Sequence, residues 1–296
     1  MVARLLPRVA ALLTAGLLAV PACGAQAGQR PDASPAAMRL GPAAPSVTPD
    51  GFPAPSVTPD GFPAPSAASD GAAGRDTPPP VTAPRKTLRL GADGQAVTWL
   101  QKRLIGLGYR PGEADGQYGP TTLAAVWAFQ KVNGIKPTST VARRTWEALE
   151  TPKTPRVLAP RGRGTRAEVD LTRQIMVLYV GGEVELISHI SSGSGIPYCE
   201  TATWQGSEQE FCGSASTPTG NYRTTWRVSG WHRSYLGELY NPIFFNGGIA
   251  FHGALSVPLH PASHGCVRLP MNVAEELPGK LGKGVPVHVR GKFRSA

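Results

Sequence analysis

The chain has 296 residues, and its 30 lysines and arginines outnumber its 20 acidic residues to give a formal net charge of +10. That charge fits a polyanionic partner, but the sequence has no basic helix with interleaved aromatic residues, so nucleic acid is not expected as a partner. The length allows about two domains. Much of the excess of glycine and proline lies before residue 86, so the folded part is smaller than the length suggests.

The first 23 residues are typical of a secretory signal. Two arginines precede the apolar run Val9–Val20, which at about 12 residues is shorter than the roughly 20 needed to span a bilayer. The run Val20-Pro21-Ala22-Cys23 resembles a bacterial lipobox, which would make Cys23 the lipid-bearing residue. A competing small-x-small site at Ala25-Gln26-Ala27 would remove Cys23 instead. Either cleavage predicts a protein that works outside the cytoplasm, with membrane contact only through a lipid anchor.

Residues 24–85 are predicted to be a disordered spacer. The segment Ala44–Pro53, APSVTPDGFP, recurs at Ala54–Pro63. A ten-residue repeat of proline, alanine, serine and glycine has too little apolar surface to fold, so it would hold the folded part away from a surface.

Residues 86–151 are predicted to form a small three-helix bundle. Apolar residues at helical spacing indicate a first helix that ends at Gly108, and two more helices follow the turn Asp115–Gly119. The periodic positions are Val97, Leu100, Leu104 and Leu107, then Leu123, Val126 and Phe129, then Val141, Trp146 and Leu149.

The motifs LQ, LGY, DGQYG, AVWAFQ and TW in this region resemble the three-helix peptidoglycan-binding module of bacterial wall enzymes. The resemblance implies a targeting module without a catalytic role. Asp115 and Tyr118 would then be exposed to touch glycan or peptide, unless they build the turn and fill the core.

A hinge rich in proline, glycine and arginine is predicted at 152–165, followed by a mostly-β domain at 166–291. β-branched residues and the two-residue turn Gly181-Gly182 predict a hairpin. Further strands are expected at Tyr222–Val228, Ile249–Phe251 and Val285–Val289, and one helix at Asn272–Leu281. The segment Ser191–Ser216 looks like an insertion.

Cysteine usage separates one thiol from the others. Cys23 would be lipidated or lost, and Cys199 and Cys212 could close a short loop as a disulfide in an oxidising compartment. Cys266 is left without an obvious partner. The alternative is that Cys199 and Cys212 are both free and that Cys266 is a buried, inert thiol.

The segment Ser263-His264-Gly265-Cys266-Val267-Arg268 brings together the parts that acyl transfer needs. A nucleophilic cysteine has a free pKa near 8.5 and needs an imidazole or positive charge nearby, and glycine lets a substrate carbonyl approach backbone N–H donors. His252-Gly253 supplies another imidazole at the end of an apolar strand.

Three interpretations compete for this cluster. A zinc site would use His252, His260, His264 and Cys266, but Pro261 breaks any helix that would align two of these histidines, and no CxxC or HExxH pattern exists. A papain-like hydrolase would place its histidine far downstream of the cysteine, where the chain has only His288. The third interpretation is an enzyme whose base precedes its nucleophile.

The run HGALSVPLHPASHGCVRL resembles the active-site signature of the bacterial L,D-transpeptidases of YkuD type, and the likeness extends over 166–291 with TPTGNY at Thr217–Tyr222. The resemblance implies a two-domain enzyme with a mostly-β catalytic domain. It implies Cys266 as the nucleophile and His252 as the general base, with the carbonyl of Gly253 orienting His252.

The same resemblance assigns the rest of the site. The N–H groups of Gly265 and Cys266 would form the oxyanion hole, with His264 nearby. Arg268 would bind a substrate carboxylate, and Ser263 would support the loop on the substrate-binding side. Neither a metal nor an organic cofactor is expected.

The reaction implied is two-step acyl transfer on peptidoglycan. Cys266 would attack the bond between the third-position diamino acid and D-alanine of a donor stem, and the side-chain amine of a second stem would resolve the thioester as a 3→3 cross-link. Water as acceptor would make an L,D-carboxypeptidase, and a protein lysine would attach that protein to the wall. The remaining alternative is a non-catalytic wall-binding protein. We expect a monomer.

Overall fold

The structure is a computed structural model that describes residues 82–160, 162 and 164–293. The predicted signal peptide, the lipidation at Cys23 and the repeats of the spacer lie outside the described residues. Within the described ranges, no helix is both long and apolar enough to cross a membrane.

Residues 88–150, the helical region, contain three helices and a short ribbon. The elements are β1 (Leu88–Arg89), α1 (Gln95–Gly106), α2 (Pro120–Val132), β2 (Thr140–Val141) and α3 (Arg143–Glu150), and β1 pairs antiparallel with β2. α2 starts at a proline, whose fixed φ suits the first helical position. Gly108 has a φ of +85°, which lets the chain turn away after α1.

The turn after α1 distinguishes between the two interpretations of Tyr118. Tyr118 is 1% exposed and belongs to the core, so it is not on the surface to touch a ligand. Asp115 is exposed, and its Oδ1 accepts hydrogen bonds from Gln101 Nε2 (2.8 Å) and Gln117 N (2.9 Å). These two residues build the turn and fill the core.

Residues 166–290, the β-rich region, contain eleven of the described strands and one helix. The elements are β3 (Arg166–Asp170), β4 (Ile175–Val180), β5 (Glu183–His189), β6 (Pro197–Trp204), β7 (Ser207–Ser214), β8 (Gly220–Arg223), β9 (Trp231–Ser234), β10 (Gly237–Asn246), β11 (Ile249–Gly253), β12 (Val267–Leu269), α4 (Met271–Lys280) and β13 (Pro286–Arg290). The sheet orders are β5-β4-β3-β13-β8, β12-β11-β10-β9 and β6-β7. The strand predicted at 222–228 ends at Arg223, because Thr224 and Thr225 bond to Val285 and Phe244 outside any regular ladder.

The apolar run of β4 is buried on both of its faces. Met176 and Leu178 point into a core shared with the second sheet and α4, which includes Phe251 and Leu277. The alternating residues Ile175, Val177 and Tyr179 point the other way, into the core of the helical region. This double burial explains why β4 has no polar alternation, since neither face meets water.

The predicted hinge at 152–165 does not separate two independent cores. Ile187 N donates to Gly108 O (2.9 Å), so the loop after α1 adds to the edge of β5. Arg110 binds Glu276 of α4 through two hydrogen bonds, of 2.7 and 2.9 Å. The helical region therefore packs firmly on the outer face of the five-stranded sheet.

Candidate active site

The parallel pair β11–β12 sets the geometry of the site. Phe251 lies opposite Val267, and His252 lies opposite Arg268. Because side chains alternate along a strand and Phe251 and Val267 are fully buried in the core, His252 and Arg268 lie on the other face. Cys266 directly precedes β12 and is two residues from Arg268, so it shares that face.

The backbone of β11 orients His252. The His252 Nδ1 lies 2.9 Å from the carbonyl oxygen of Gly253. Since a carbonyl can only accept, Nδ1 carries the proton and Nε2 keeps the free lone pair of a base. The pKa of His252 is lowered to about 4, chiefly by burial and also by the nearby charge of Arg268, while the Gly253 hydrogen bond opposes the shift. The imidazole is therefore neutral at physiological pH.

Gly253 is a glycine for steric reasons. A Cβ at this position would lie 2.9 Å from Ala274 Cβ, 3.1 Å from Met271 Sδ and 3.1 Å from Tyr240 Cδ1. The end of β11 is thus pressed against α4 and β10, which fixes the carbonyl that holds His252.

Cys266 is the free cysteine among those that the structure describes. Its Sγ lies 3.6 Å from Gly248 O, and burial raises the pKa of its thiol. With a raised thiol pKa beside a lowered imidazole pKa, the resting pair is a neutral thiol and a neutral imidazole. The arrangement suits a general base that takes the thiol proton during attack, rather than a stored thiolate–imidazolium pair.

A cross-braced loop carries Cys266. Ser263 Oγ donates to the carbonyl of Cys266 and accepts from Gly265 N (3.1 Å). Thr217 Oγ1 donates to Gly265 O (2.6 Å) and accepts from Gly193 N (2.8 Å). Both hydroxyls are buried and doubly used, which favours a loop-supporting role for Ser263 and argues against its direct contact with substrate.

The loop also revises the predicted oxyanion hole. The N–H of Gly265 is directed at Ser263 Oγ, whereas the N–H of Cys266 has no hydrogen-bond acceptor in the part of the chain that the structure describes. Cys266 N–H is therefore the available donor of the pair. Gly265 adopts a φ of +137°, a conformation that favours glycine and lets the loop turn sharply before the thiol.

Thr217 and Gly193 are site residues that the sequence analysis did not single out. A Cβ on Gly193 would lie 2.2 Å from Ala215 O, so the close approach of these two segments requires glycine at position 193. The sequence features that could have pointed to them are the TPTG run, which begins at Thr217, and the glycine between Ser192 and Ser194.

The backbone of Arg268 is hydrogen-bonded to Ser191, and its guanidinium group has no acidic partner among the described residues. Its N–H donates to Ser191 O (2.9 Å), and its carbonyl accepts from Ser191 N (3.1 Å). Across the described ranges its guanidinium makes no salt bridge, and burial lowers its pKa while the Cys266 thiol raises it. An unpaired guanidinium two residues from Cys266 suits a carboxylate ligand.

The insertion Ser191–Ser216 reaches the site. It folds into the β6–β7 hairpin, which the disulfide Cys199–Cys212 closes as predicted. His264 Nε2 lies 2.7 Å from Glu200 Oε1, and its ring packs edge-on against Tyr198 at 4.7 Å. This contact could not be predicted from the sequence.

The alternative zinc set is not brought together. Among the residues that the structure describes, the one trio of ligand types within 4.8 Å is Cys199, Glu210 and Cys212, and its cysteines form the disulfide. His260 contributes its carbonyl, which accepts from Ser191 Oγ (2.8 Å).

The fold and site define a β-rich domain in which a free cysteine and a backbone-oriented histidine lie on neighbouring strand ends. Residues 164–289 match the L,D-transpeptidase catalytic domain (YkuD), and residues 93–149 match a peptidoglycan-binding domain. The crystal structure of the L,D-transpeptidase (residues 123–326) from Xylanimonas cellulosilytica is 36% identical, with a TM-score of 0.60, over 72% of this chain and 100% of that one. The chain belongs to the L,D-transpeptidase family.

Two further similarities are more limited. An L,D-transpeptidase from Stackebrandtia nassauensis is 23% identical over 73% of this chain and 98% of that one, with a TM-score of 0.40. A curated protein of Kitasatospora aureofaciens, the "Uncharacterized protein in bpoA1 3'region", is 45% identical over 58 residues, or 19% of this chain. The chain spans about half (49%) of that curated relative's length.

Proposed function

We propose that this protein is an exported cell-wall enzyme that forms 3→3 peptidoglycan cross-links by cysteine-dependent L,D-transpeptidation. The observation that supports the proposal is the shared face of β11–β12, on which Cys266, Arg268 and a backbone-oriented His252 all lie. The family and the peptidoglycan-binding domain support peptidoglycan as the substrate, and the residues of the site support acyl transfer as the reaction.

In the first step, His252 Nε2 takes the thiol proton as Sγ of Cys266 attacks the carbonyl carbon between the third-position diamino acid and D-alanine. The developing oxyanion accepts from the N–H of Cys266, and Arg268 binds a carboxylate of the donor. The C–N bond then breaks, His252 returns the proton to the departing D-alanine amine, and a thioester remains.

In the second step, the side-chain amine of another stem attacks the thioester. A C–N bond forms, the C–S bond breaks, and the amine's proton reaches the sulfur through His252. Water at the same carbonyl would give the carboxypeptidase reaction. We favour the amine because an acidic hairpin borders the nucleophile, as developed below.

Export belongs to the same proposal. The basic and apolar N-terminal run with Cys23 supports secretion or a lipid anchor. A disulfide on the hairpin suits an oxidising compartment outside the cytoplasm.

Intact mass spectrometry after incubation with a stem tetrapeptide or a carbapenem tests the proposal. We expect a covalent adduct on wild-type protein that disappears in Cys266→Ala, together with a cross-linked dimer from the tetrapeptide. Cys199→Ala/Cys212→Ala is the matched control, because it removes cysteines outside the site and should keep the adduct. Absence of both adduct and dimer in folded wild-type protein would contradict the proposal.

A further inference from the structure

The β6–β7 hairpin has two chemically different faces. Glu200 is paired with Phe211, and Cys199 with Cys212, so alternation puts the disulfide on the face opposite Glu200. Tyr198 lies on the Glu200 face and is more buried than its neighbours on the disulfide face.

The face that carries Tyr198 and Glu200, called the inner face here, contacts the rest of the protein in two places. Glu200 and Tyr198 contact His264, two residues before the nucleophile. Phe211, the cross-strand partner of Glu200, stacks on Tyr235, between β9 and β10, with ring centroids 4.2 Å apart and planes at 19°. The hairpin therefore contacts both the loop that carries Cys266 and the β9–β10 turn.

Tyr198 borders the segment that carries Cys266. Its ring packs edge-on against His264, two residues before Cys266, and its pKa is raised, first by partial burial and then by Tyr235, Glu200 and Cys266. The hairpin therefore lies beside the loop that would carry the acylated sulfur.

The β6–β7 hairpin carries a net negative charge, opposite in sign to the net charge of the whole protein. Residues 197–214 contain three glutamates and no lysine or arginine, in a chain with a net charge of +10. The Glu200 side chain is 46% exposed, so its carboxylate can still meet a ligand. The site therefore has a guanidinium at Arg268, two residues after Cys266, and a carboxylate at Glu200 that contacts His264, two residues before Cys266.

We infer that the inner face of the β6–β7 hairpin is the acceptor subsite, with Glu200 as a specificity-determining residue that recruits a cationic primary amine to the thioester. The inference rests on the proposed function. A primary amine reaches the site as an ammonium ion. A carboxylate attracts this cation by its charge, whereas a neutral water molecule gains no such attraction. The ammonium loses one proton to solvent through the His264–Glu200 pair. Its nitrogen then forms the C–N bond, the C–S bond breaks, and a second proton passes to sulfur.

The test separates acylation from acceptor choice in the full chain. The donor is a stem tetrapeptide whose side-chain amine is acetylated, so it cannot act as acceptor. The acceptor is a stem tripeptide with a free side-chain amine. Release of D-alanine reports acylation, and the ratio of dimer to hydrolysed donor reports the fate of the thioester.

Glu200→Gln keeps an oxygen that can accept from His264 Nε2 but removes the charge. We expect it to lower the ratio of dimer to hydrolysed donor roughly fivefold and to raise the acceptor KM, with D-alanine release unchanged. Glu208→Gln removes the same charge from the opposite face, since Glu208 pairs with Thr203, and should behave as wild type.

Several outcomes would overturn the inference. Equal shifts in Glu200→Gln and Glu208→Gln would show an effect of net charge alone. An unchanged ratio in Glu200→Gln with a reduced one in Glu200→Ala would make Glu200 a positioning residue for His264. Normal acylation without any dimer in wild type would refute the subsite alone, whereas failure of wild type to acylate would refute the proposed function as well.

Discussion

Replacing Gly253 by alanine tests whether the backbone carbonyl really orients the base. The new Cβ would lie 2.9 Å from Ala274 Cβ and 3.1 Å from Met271 Sδ and Tyr240 Cδ1. Carbon atoms pack at about 3.5–4.0 Å, so the strand end must retreat by roughly 0.6 Å or more. The carbonyl that lies 2.9 Å from His252 Nδ1 moves with it. We expect the free energy of unfolding to fall by about 1–3 kcal/mol and acylation to slow roughly 10- to 100-fold.

Carbapenem adduct formation followed by mass spectrometry measures the rate, and thermal unfolding measures stability, at about 2–4 °C per kcal/mol. Gly279→Ala is the control: nothing lies within 4 Å of its added Cβ, and in α4 it should stabilise by about 0.5–1 kcal/mol without affecting the rate. Gly253→Ala/Ala274→Gly removes the nearest clash and should recover part of the rate. Wild-type acylation by a folded Gly253→Ala protein would refute the orienting role.

Three other predictions concern protonation, the packing of the two regions and the disulfide. Because His252 has a pKa of about 4 and Cys266 a raised one, the reactive neutral pair persists between them, and the acylation rate should change by less than about twofold from pH 6 to 8. An acid limb near the ordinary histidine pKa of about 6.5 would contradict this. Arg110→Ala should lower the free energy of unfolding by about 2 kcal/mol in denaturant titrations, since it removes a two-bond ion pair between the helical and β-rich regions; unchanged stability would argue against firm packing. Reduction of Cys199–Cys212 should lower thermal stability while the carbapenem adduct still forms, and loss of the adduct in folded, reduced protein would contradict that separation.

The parts that could be predicted from the sequence are those set by local pattern. The β4–β5 hairpin followed from the glycine pair at 181–182, and the helix at 272–281 appears as α4, Met271–Lys280. The segment Ser263–Arg268 carries unusual residue types in one short run, so it can be singled out as a candidate site without knowing the fold. The free and paired cysteines likewise followed from their spacing and surroundings.

What the sequence could not show depends on contacts between distant segments. The contact of Glu200 with His264 joins residues 64 positions apart, and an insertion offers no periodic signal for where it docks. The diversion of the Gly265 N–H to Ser263 Oγ depends on a loop conformation that residue types alone leave open. Tyr118 could have been read either way, because an aromatic residue in a turn motif fits both a surface and a core position.

The packing of the helical region on the sheet was hidden for a related reason. Lys131 of α2 is 8% exposed, and it contacts His189 Nδ1 (2.7 Å) and Gln174 O (3.0 Å) across the interface. Burial lowers the pKa of Lys131 to about 7, so its site tolerates loss of the charge that a sequence pattern would place in water. His189 in turn lies 2.9 Å from Val257 O, in the segment between His252 and Cys266. A chain cut at the predicted hinge would expose the buried outer face of β4 and these polar groups, so the helical and β-rich regions depend on each other for their packing.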